Sequence, residues 1–272
     1  MDIVETGFPV LDKKEFGGLK RGELTFLYAR VGAGKTAFLC NVFVNMIEQM
    51  PPVKCIYFTF EETKENVLER LACIKSGVKY CSYFSWNGRT VGQEKKVRET
   101  TEWLLREIGG EKAKSNIVND AETLADAVLA MAEMKTAKGL DAVFIDGLQH
   151  WREYAKENTY DMVRVLKEVA RRLDVAVLVG DGLPSLRRVK QPALCHISSK
   201  SVLRTADKII LLDRPEMIAS AEEIERGDVS VHTIELRIVK NNTGLRGFIP
   251  LHFDFQTQRI VDLPDDEIPW DE

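Results

Sequence analysis

The feature that most constrains the fold is a glycine-containing loop, ARVGAGKT at residues 29–36, which lies between two apolar stretches. The stretch before it, residues 24–29, is short, apolar and aromatic, which is typical of a buried strand. The stretch after it, residues 36–49, is apolar on nearly all sides and indicates a buried helix. A strand, a loop and a helix in this order bring the helix N-terminus, with its partial positive charge, to the loop. The segment therefore predicts an α/β fold with an anion-binding loop at the end of one strand.

The loop lacks the glycine that usually opens the phosphate-binding pattern G-x-x-x-x-G-K-[S/T], because Ala29 takes that place. In such loops the second half does the binding, since successive backbone N–H groups there surround phosphate oxygens. Gly32 and Gly34 remain in that half and let the backbone turn and approach an anion. Alanine is tolerated at the end of the strand if its φ stays negative. We predict nucleotide binding by Ala29, Arg30, Val31, Gly32, Ala33, Gly34, Lys35 and Thr36; the alternative is a glycine-rich turn with an incidental lysine.

Length and composition exclude several classes of protein. A chain of 272 residues with 44% hydrophobic residues suits one large α/β domain or two small ones. Its apolar runs are too short to span a membrane, and its N-terminus does not resemble a signal peptide. The five cysteines, at positions 40, 55, 73, 81 and 195, lack C-x-x-C spacing, so we expect buried free thiols in a reducing cytoplasm. The net charge of −4 argues against a globally basic nucleic-acid coat but permits a local basic groove.

Strand-like and helix-like segments alternate along most of the chain. The pattern predicts strands at residues 55–60, 142–145, 175–179 and 209–212, and helices at residues 64–75, 93–108, 119–139 and 159–173. The third helix is expected to begin at Asn119, because Glu122 follows in capping-box spacing. Residues 231–240 and 248–255 read as the two strands of a hairpin, and residues 76–92 support no assignment.

These segments predict an α/β domain at residues 1–263, with a mostly parallel sheet extended by antiparallel strands near its C-terminus. Residues 264–272, PDDEIPWDE, follow as an acidic tail. A solvated, disordered end is one interpretation of this tail, and a segment that recruits a partner is another.

Two carboxylates follow predicted strands. Asp146 ends the strand AVFID, at the edge of the sheet where phosphate-loop enzymes hold Mg²⁺ together with a loop hydroxyl, here Thr36. An aspartate that caps a turn is the alternative.

Glu61 ends IYFTFE, where a carboxylate can orient and deprotonate an attacking water. Because side chains alternate, only one of Glu61 and Glu62 can lie over the site, and we favour Glu61. The alternative is that both are solvated acids at a helix start.

Four segments resemble the RecA-like ATPase domain of DnaB-type replicative helicases in order and spacing: TGFPVLDKKEFGGLKRGEL at 6–24, ARVGAGKT, FTFEE and FIDGLQ at 144–149. The resemblance extends from residue 6 to about residue 261, and in this family alanine often opens the phosphate loop. It implies a RecA-like P-loop NTPase core in a hexameric ring that uses ATP and Mg²⁺, binds single-stranded DNA in its channel and meets replication partner proteins.

The resemblance also implies roles for individual residues. Lys35 would bind the β- and γ-phosphates, Thr36 and Asp146 would hold Mg²⁺, and Glu61 would be the general base. Gln149 takes the place of the glutamine in the family's ID-x-L-Q motif. Lys240 takes the place of the lysine in a late K-x-R motif that reaches the nucleotide of a neighbouring subunit.

The chain departs from the family in three ways. It opens on the ATPase signature, without the usual N-terminal primase-interaction domain. Gly182 stands where the family has a glutamine that senses the γ-phosphate, and Asn242 stands where the K-x-R motif has its arginine. We therefore expect slow hydrolysis, unless Arg246 or an arginine from a partner protein replaces the missing cation.

The resemblance places the DNA-contacting loops after the strands that carry Asp146 and Asp181. The second loop has four cations and no acidic residue, which suits sequence-independent phosphate contacts: Arg187, Arg188, Lys190 and Lys200. The first loop offers two aromatic side chains for base stacking and two cations: Trp151, Tyr154, Arg152 and Lys156. Ordinary solvated loops are the alternative for both.

Three functions remain open from the sequence. The first is a DNA-dependent ATPase motor of the DnaB-like helicase type. The second is a RecA-like or KaiC-like ATPase in recombination or regulation. The third is a slow or non-hydrolysing subunit that binds ATP in order to assemble on a partner.

Overall fold

The computed structural model describes residues 3–80, 89–109, 116–153, 155–184 and 191–264. The strands are β1 (Ile3–Val4), β2 (Leu19–Lys20), β3 (Leu24–Ala29), β4 (Cys55–Thr59), β5 (Ile117–Val118), β6 (Ala142–Asp146), β7 (Ala176–Gly182), β8 (Lys208–Asp213), β9 (Thr233–Asn241), β10 (Gly247–Asp254) and β11 (Arg259–Asp262). The helices are α1 (Pro9–Asp12), α2 (Lys35–Ile47), α3 (Lys64–Ser76), α4 (Val91–Gly109), α5 (Leu124–Lys138), α6 (Gln149–Glu153), α7 (Thr159–Leu173), α8 (Lys200–Thr205) and α9 (Ala221–Glu225).

Nine strands form one sheet in the order β11-β10-β9-β8-β3-β7-β6-β4-β5. The six strands from β8 to β5 in this order are parallel, while β9, β10 and β11 pair antiparallel. The expected α/β class, a mostly parallel sheet with C-terminal antiparallel strands, is confirmed. Because β3 lies inside the parallel part, between β8 and β7, the loop after it opens at the carboxyl edge of the sheet.

Helices cover both faces of the sheet and form two hydrophobic cores. Helices α2, α3 and α4 contribute to the first core, and α5, α7 and α8 contribute to the second. Helix α2 is the most deeply set, because nearly every side chain from Ala37 to Ile47 is buried. The Phe43 ring on α2 meets the rings of Tyr57 and Phe144 edge-on, at centroid distances of 5.7 and 5.6 Å. This packing fixes α2 against the centre of the sheet and thereby fixes the loop that precedes it.

Most predicted elements lie where the sequence placed them, including β3 and α7. The predicted start of the third helix at Asn119 was wrong, because α5 begins at Leu124. Thr123 is its N-cap: the Thr123 hydroxyl accepts the N–H of Asp126, and the Asp126 carboxylate accepts the N–H of Thr123. This reciprocal pair satisfies two backbone N–H groups at the start of the helix, four residues after the predicted start at Asn119.

The sequence did not predict several short elements, and the predicted strand at residues 175–179 is shorter than β7. Strand β7 continues beyond Val179 to Gly182, because its ladder with β3 runs on to the pair Ala29 and Gly182. Strands β5 and β11 have two and four residues at the sheet edges, too few to show a period.

The thiols are mostly, but not all, in the core. Cys40, Cys55 and Cys73 are buried and free, as expected. Cys195 is free but exposed, so the prediction of burial was wrong for this thiol, which lies in a surface 3-10 turn. Cys81 lies outside the described residues. Within the described ranges, no helix is both long and apolar enough to cross a membrane.

A buried asparagine joins α2 to the edge strand β11. Asn41 is 1% exposed. Its amide donates to the carbonyl oxygens of Ala37 and Gln258 at 2.8 Å each, and its Oδ1 accepts the N–H of Ile260 at 2.9 Å. These bonds position the turn between β10 and β11 beside the N-terminal half of α2.

We expect Asn41→Ala to lower the free energy of unfolding by about 1–3 kcal/mol, because the buried N–H of Ile260 loses its acceptor. Urea unfolding followed by circular dichroism measures the change. Asn66→Ala is the matched control on the exposed surface of α3, where we expect a change within about 0.5 kcal/mol. A loss at Asn41 no larger than that of the control would contradict the role of this side chain.

Candidate nucleotide site

The phosphate loop has the backbone geometry that its glycines permit. Gly32 and Gly34 have φ values of 78° and 107°, in the left-handed region that side chains disfavour. Ala33 donates its N–H to the Arg30 carbonyl oxygen at 3.1 Å, which closes the turn. Ala29 is not among the described residues with positive φ, so its methyl group causes no backbone strain. The loop thus forms without the first glycine of the usual pattern.

Lys35, the first residue of α2, is the central cation of the site. Its Nζ lies 2.7 Å from Asp146 Oδ1 and 3.3 Å from Glu61 Oε1. Burial alone would lower the pKa of Lys35, but the carboxylates of Asp146 and Glu61 outweigh burial and raise it. The ammonium therefore stays charged and lies where an anion at the N-terminus of α2 would meet it.

Asp146 is held in place by a second partner on the neighbouring strand. Only 2% of its side chain is exposed, and its Oδ2 accepts the Tyr57 hydroxyl at 3.1 Å. Burial, together with the nearby Asp146 charge, raises the pKa of Tyr57, so this phenol remains a donor. The two oxygens of Asp146 are therefore divided between Lys35 on one side and Tyr57 on the other.

The adjacent acids Glu61 and Glu62 have different partners. Glu61, with 43% of its side chain exposed, accepts from Lys35 and from the Gln149 amide. Glu62 instead pairs with Arg70 on α3. The geometry therefore favours Glu61 as the acid on the Lys35 side. The prediction that only one of the two acids can lie over the site was wrong, because β4 ends at Thr59, before both acids, and both line the cavity beside the loop. Gln149 Oε1 is buried without a hydrogen-bond partner among the described residues, beside the Glu61 carboxylate.

A cavity of about 320 Å³ opens beside the loop. Nine predicted residues line it: Ala29, Arg30, Val31, Gly32, Gly34, Lys35, Thr36, Glu61 and Gln149. Gly182 also lines it, and a Cβ added there would meet nothing within 4 Å. The space that a side chain at position 182 would occupy is therefore open, at the edge of the cavity.

The cavity has a second wall that sequence analysis missed. It consists of Arg70, Arg214, Phe253, Phe255 and Gln258. Arg214 lies over the Phe253 ring at 5.0 Å, and Phe255 is 48% exposed. An exposed ring beside a phosphate loop offers a stacking surface for a flat, apolar group such as a nucleobase. No local pattern marks these residues, because α3, the end of β8, β10 and the β10–β11 turn reach the loop only through the fold.

The site fits a magnesium ion that arrives with phosphate oxygens. Thr36, half-buried in the first turn of α2, and Asp146 are the candidate protein ligands. Mg²⁺ usually keeps several waters and takes one or two protein oxygens plus substrate phosphates. Among the described residues, no group of three or more His, Cys, Asp and Glu side chains could hold a metal on its own. This is compatible with a metal whose remaining ligands come from a nucleotide and water.

Lys240 does not lie at the loop of its own chain. It pairs with Ile209 on β8, which in turn pairs with Phe26 on β3, toward the amino end of that strand. Its Nζ donates to the Leu203 carbonyl oxygen at 2.9 Å. Any contact between Lys240 and a nucleotide would therefore have to be with one bound by another copy of the chain.

The structure corrects one prediction about the DNA loops. Trp151 is fully buried and its indole donates to the Ala121 carbonyl oxygen at 3.0 Å, so the predicted role in base stacking was wrong. The ring packs against Phe60 at 4.9 Å and fills the core beneath α6. Arg152 is exposed and lies 3.9 Å from Asp181, and Lys200 is exposed at the start of α8. The other residues named for these contacts that lie outside the described ranges are Tyr154, Arg187, Arg188 and Lys190.

The chain is similar to known proteins in sequence and in fold. Replicative DNA helicase DnaB of Geobacillus stearothermophilus is 25% identical over 272 residues, covering 96% of this chain and 56% of the relative. Replicative DNA helicase DnaC of Bacillus subtilis (strain 168) is 24% identical with the same coverage. The chain thus spans about half the length of the curated relatives it matches.

Two solved structures share the fold at 23% sequence identity. A DnaB-like replicative helicase, described with its interactions with primase, superposes with a TM-score of 0.79 over 97% of this chain and 62% of its own. The second, described as an ATPase domain, superposes with a TM-score of 0.78 over 97% of this chain and 92% of its own. The family model described as DnaB-like helicase C terminal domain matches residues 3–262. The chain therefore belongs to the family of DnaB-like helicase C-terminal domains.

Proposed function

We propose that residues 1–263 are the ATP-hydrolysing motor of a DnaB-type helicase, a hexameric ring that moves on single-stranded DNA during replication in the cytoplasm. The observation that carries this proposal is the contact of Lys35 with both Asp146 and Glu61 at the N-terminus of α2. It joins a phosphate-binding cation, a candidate metal ligand and a water-activating base in one group of contacting side chains. The names of the curated relatives support the replicative role.

Binding of ATP would exchange partners within this group. The triphosphate lies against the loop N–H groups and the α2 N-terminus, and its oxygens take the Lys35 ammonium from the two carboxylates. Asp146 and Thr36 are then free to hold Mg²⁺, which neutralises phosphate charge when it is bound. Glu61 is released on the open side of the cavity, where water enters. The half-exposed Phe255 ring supports the base at the opposite wall.

Hydrolysis follows from the positions of Glu61 and Gln149. The buried, unpartnered Oε1 of Gln149 can accept a hydrogen bond from a water held beside Glu61. Glu61 takes one proton from that water, whose oxygen bonds to the γ-phosphorus while the bond from this phosphorus to the β–γ bridging oxygen breaks. The electron pair stays on ADP, where Lys35 and the loop N–H groups stabilise the charge.

Two departures from the family pattern, at Gly182 and Asn242, favour a second candidate function: a slow ATP-binding subunit that assembles on a partner. Gly182 has no side chain and so supplies no side-chain amide to the cavity, and Asn242 is neutral and exposed. An arginine that reaches the neighbouring nucleotide is typically worth about 10³- to 10⁵-fold in rate. ATP turnover with and without single-stranded DNA, measured across protein concentrations, separates a motor from an assembly subunit.

Lys35→Ala should weaken Mg-ATP binding by about 10- to 100-fold, because charge-assisted hydrogen bonds contribute about 1.5–3 kcal/mol. Calorimetry measures the affinity, and circular dichroism checks that the unpaired Asp146 has not unfolded the chain. Lys95→Ala is the control, since 65% of that side chain is exposed on α4. Binding by the Lys35 variant within twofold of wild type would refute the site.

Glu61→Gln should keep Mg-ATP affinity within a few-fold and lose at least about 10²-fold in turnover, the usual scale for a lost general base. Glu62→Gln is the matched neighbour and should affect turnover far less, because Glu62 faces Arg70. A phosphate-release assay at saturating Mg-ATP measures both. Active Glu61→Gln beside inactive Glu62→Gln would show that the bases have been assigned in the wrong order.

Simultaneous replacement of Arg187, Arg188 and Lys190 by alanine should weaken single-stranded DNA binding and flatten its salt dependence. Each phosphate contact contributes about 0.7 to the log–log slope, so three contacts account for about 2. Fluorescence anisotropy over a salt series measures the slope. The control removes three cations from α4: Lys95, Lys96 and Arg98. If the two triple variants keep the same slope, the loop does not contact the strand.

A further inference from the structure

We propose that Arg204 supplies the cation that Asn242 lacks, by contacting the nucleotide phosphates bound to a neighbouring copy of this chain. The inference rests on the proposed ATPase function and on the assignment of the Lys240 surface to the neighbour's nucleotide. It concerns which residue on that surface carries the charge. Arg204 lies on α8, far along the chain from the hairpin strand that carries Lys240 and Asn242.

A β-bulge turns the end of β9 toward α8. Ile210 pairs with Ile238, but the next pair is Ile209 with Lys240, so Val239 is an extra residue. One inserted residue sends the side chains that follow to the opposite face of the sheet. Ile238 belongs to the core on the α2 face, whereas Ile209 belongs to the core on the α7 and α8 face. Lys240 therefore faces α8 and not α2.

The Lys240 ammonium is already engaged within its own chain. Its Nζ lies 2.9 Å from the Leu203 carbonyl oxygen and 3.4 Å from that of Arg204. These carbonyls belong to the last turn of α8, where helical acceptors lack N–H partners. Partial burial lowers the pKa of Lys240. Lys240 thus caps a helix end, and its charge is shared with backbone oxygens before any phosphate arrives.

Arg204 is the exposed cation beside this cap. Its side chain forms no ion pair or hydrogen bond with any residue in the part of the chain that the structure describes. Asn242 is also exposed, and its N–H donates at 2.9 Å to the carbonyl oxygen of Asp207, three residues after Arg204. A planar guanidinium can bind two phosphate oxygens at once, which neither asparagine nor a capping ammonium can do.

Arg246 is less suited to this role because its loop is tied to the N-terminal segment of the same chain. The preceding residue, Leu245, donates its N–H to the Glu15 carbonyl oxygen at 2.6 Å. Thr243 in the same loop donates to Glu23 and accepts from Lys20, at 2.9 and 2.8 Å. Several hydrogen bonds therefore anchor this loop to its own chain, whereas the Arg204 side chain is exposed at the C-terminal end of α8.

The first test compares ATP turnover at saturating Mg-ATP and single-stranded DNA, at protein concentrations where assembly is complete. Arg204→Ala should lose at least about 10²-fold in turnover, with affinity for a fluorescent ATP analogue within twofold of wild type. Arg106→Ala is the matched control, an exposed helical arginine on α4, and should behave as wild type. Asn242→Arg in the Arg204→Ala background should restore turnover, because it returns a guanidinium to the same surface.

The second test asks whether Arg204 acts across the boundary between copies. Arg204→Ala and Lys35→Ala are each expected to turn over ATP far more slowly than wild type, but a mixture creates boundaries that pair an intact Lys35 with an intact Arg204. Turnover by the mixture should therefore exceed the mean of the two separate variants, and turnover no higher than that mean overturns the inference.

The outcomes separate this inference from the proposed function. Lys35-dependent wild-type turnover, fast or slow, that Arg204→Ala leaves within threefold overturns the role of Arg204 and leaves the ATPase assignment intact. The same conclusion follows if Arg246→Ala loses turnover and Arg204→Ala does not. Absence of any Lys35-dependent turnover by wild type overturns the proposed hydrolysis itself, and the role of Arg204 with it.

Discussion

The contact between the Lys35 ammonium and the buried Asp146 carboxylate, at 2.7 Å, is the interaction on which the site depends. A carboxylate with 2% of its side chain exposed needs a partner, since an isolated buried charge is strongly unfavourable. Lys35 is that partner, and Tyr57 satisfies the second oxygen. The pair links the first turn of α2 to the end of β6, while Glu61 adds the end of β4. Three separate segments are thus already arranged around the place where phosphate binds.

The packing of α2 explains why this arrangement is stable without a ligand. The helix is buried on nearly all sides, and Phe43 meets Tyr57 and Phe144 edge-on beneath the site. At its other face, Asn41 joins the helix to the turn between β10 and β11. That turn carries Phe255 and Gln258 into the cavity wall. The C-terminal antiparallel strands therefore complete a cavity that the parallel core begins, so the antiparallel extension of the sheet takes part in the site.

One extra residue in β9 determines the arrangement at the amino-terminal ends of β3 and β8, away from the nucleotide cavity. The bulge at Val239 turns Lys240 toward α8, where its ammonium satisfies carbonyl oxygens at the helix end. This places Lys240, Asn242 and Arg204 on one surface although the sequence separates them. A change of residue type at one of these positions can then be offset at another, because a phosphate responds to the position of a guanidinium and not to the element that carries it. The same reasoning does not apply to Gly182, whose position in the cavity is open space.

The sequence by itself determined the strand, loop and helix around Lys35, the α/β class, and the acids at the ends of β4 and β6. These features are local: apolar runs set the elements, glycines permit the positive φ values of the loop, and parallel strands end at one edge. Only the tertiary structure decided between Glu61 and Glu62, because Arg70 engages one of them. It also decided that Trp151 fills the core, that Thr123 caps α5, that Phe255 lines the cavity and that Lys240 faces α8. Most of these outcomes depend on contacts between residues far apart in the chain, so no local pattern could have predicted them. The cap is the exception, because Thr123 and Asp126 are three residues apart and form a local signal that the interpretation of Asn119 overlooked.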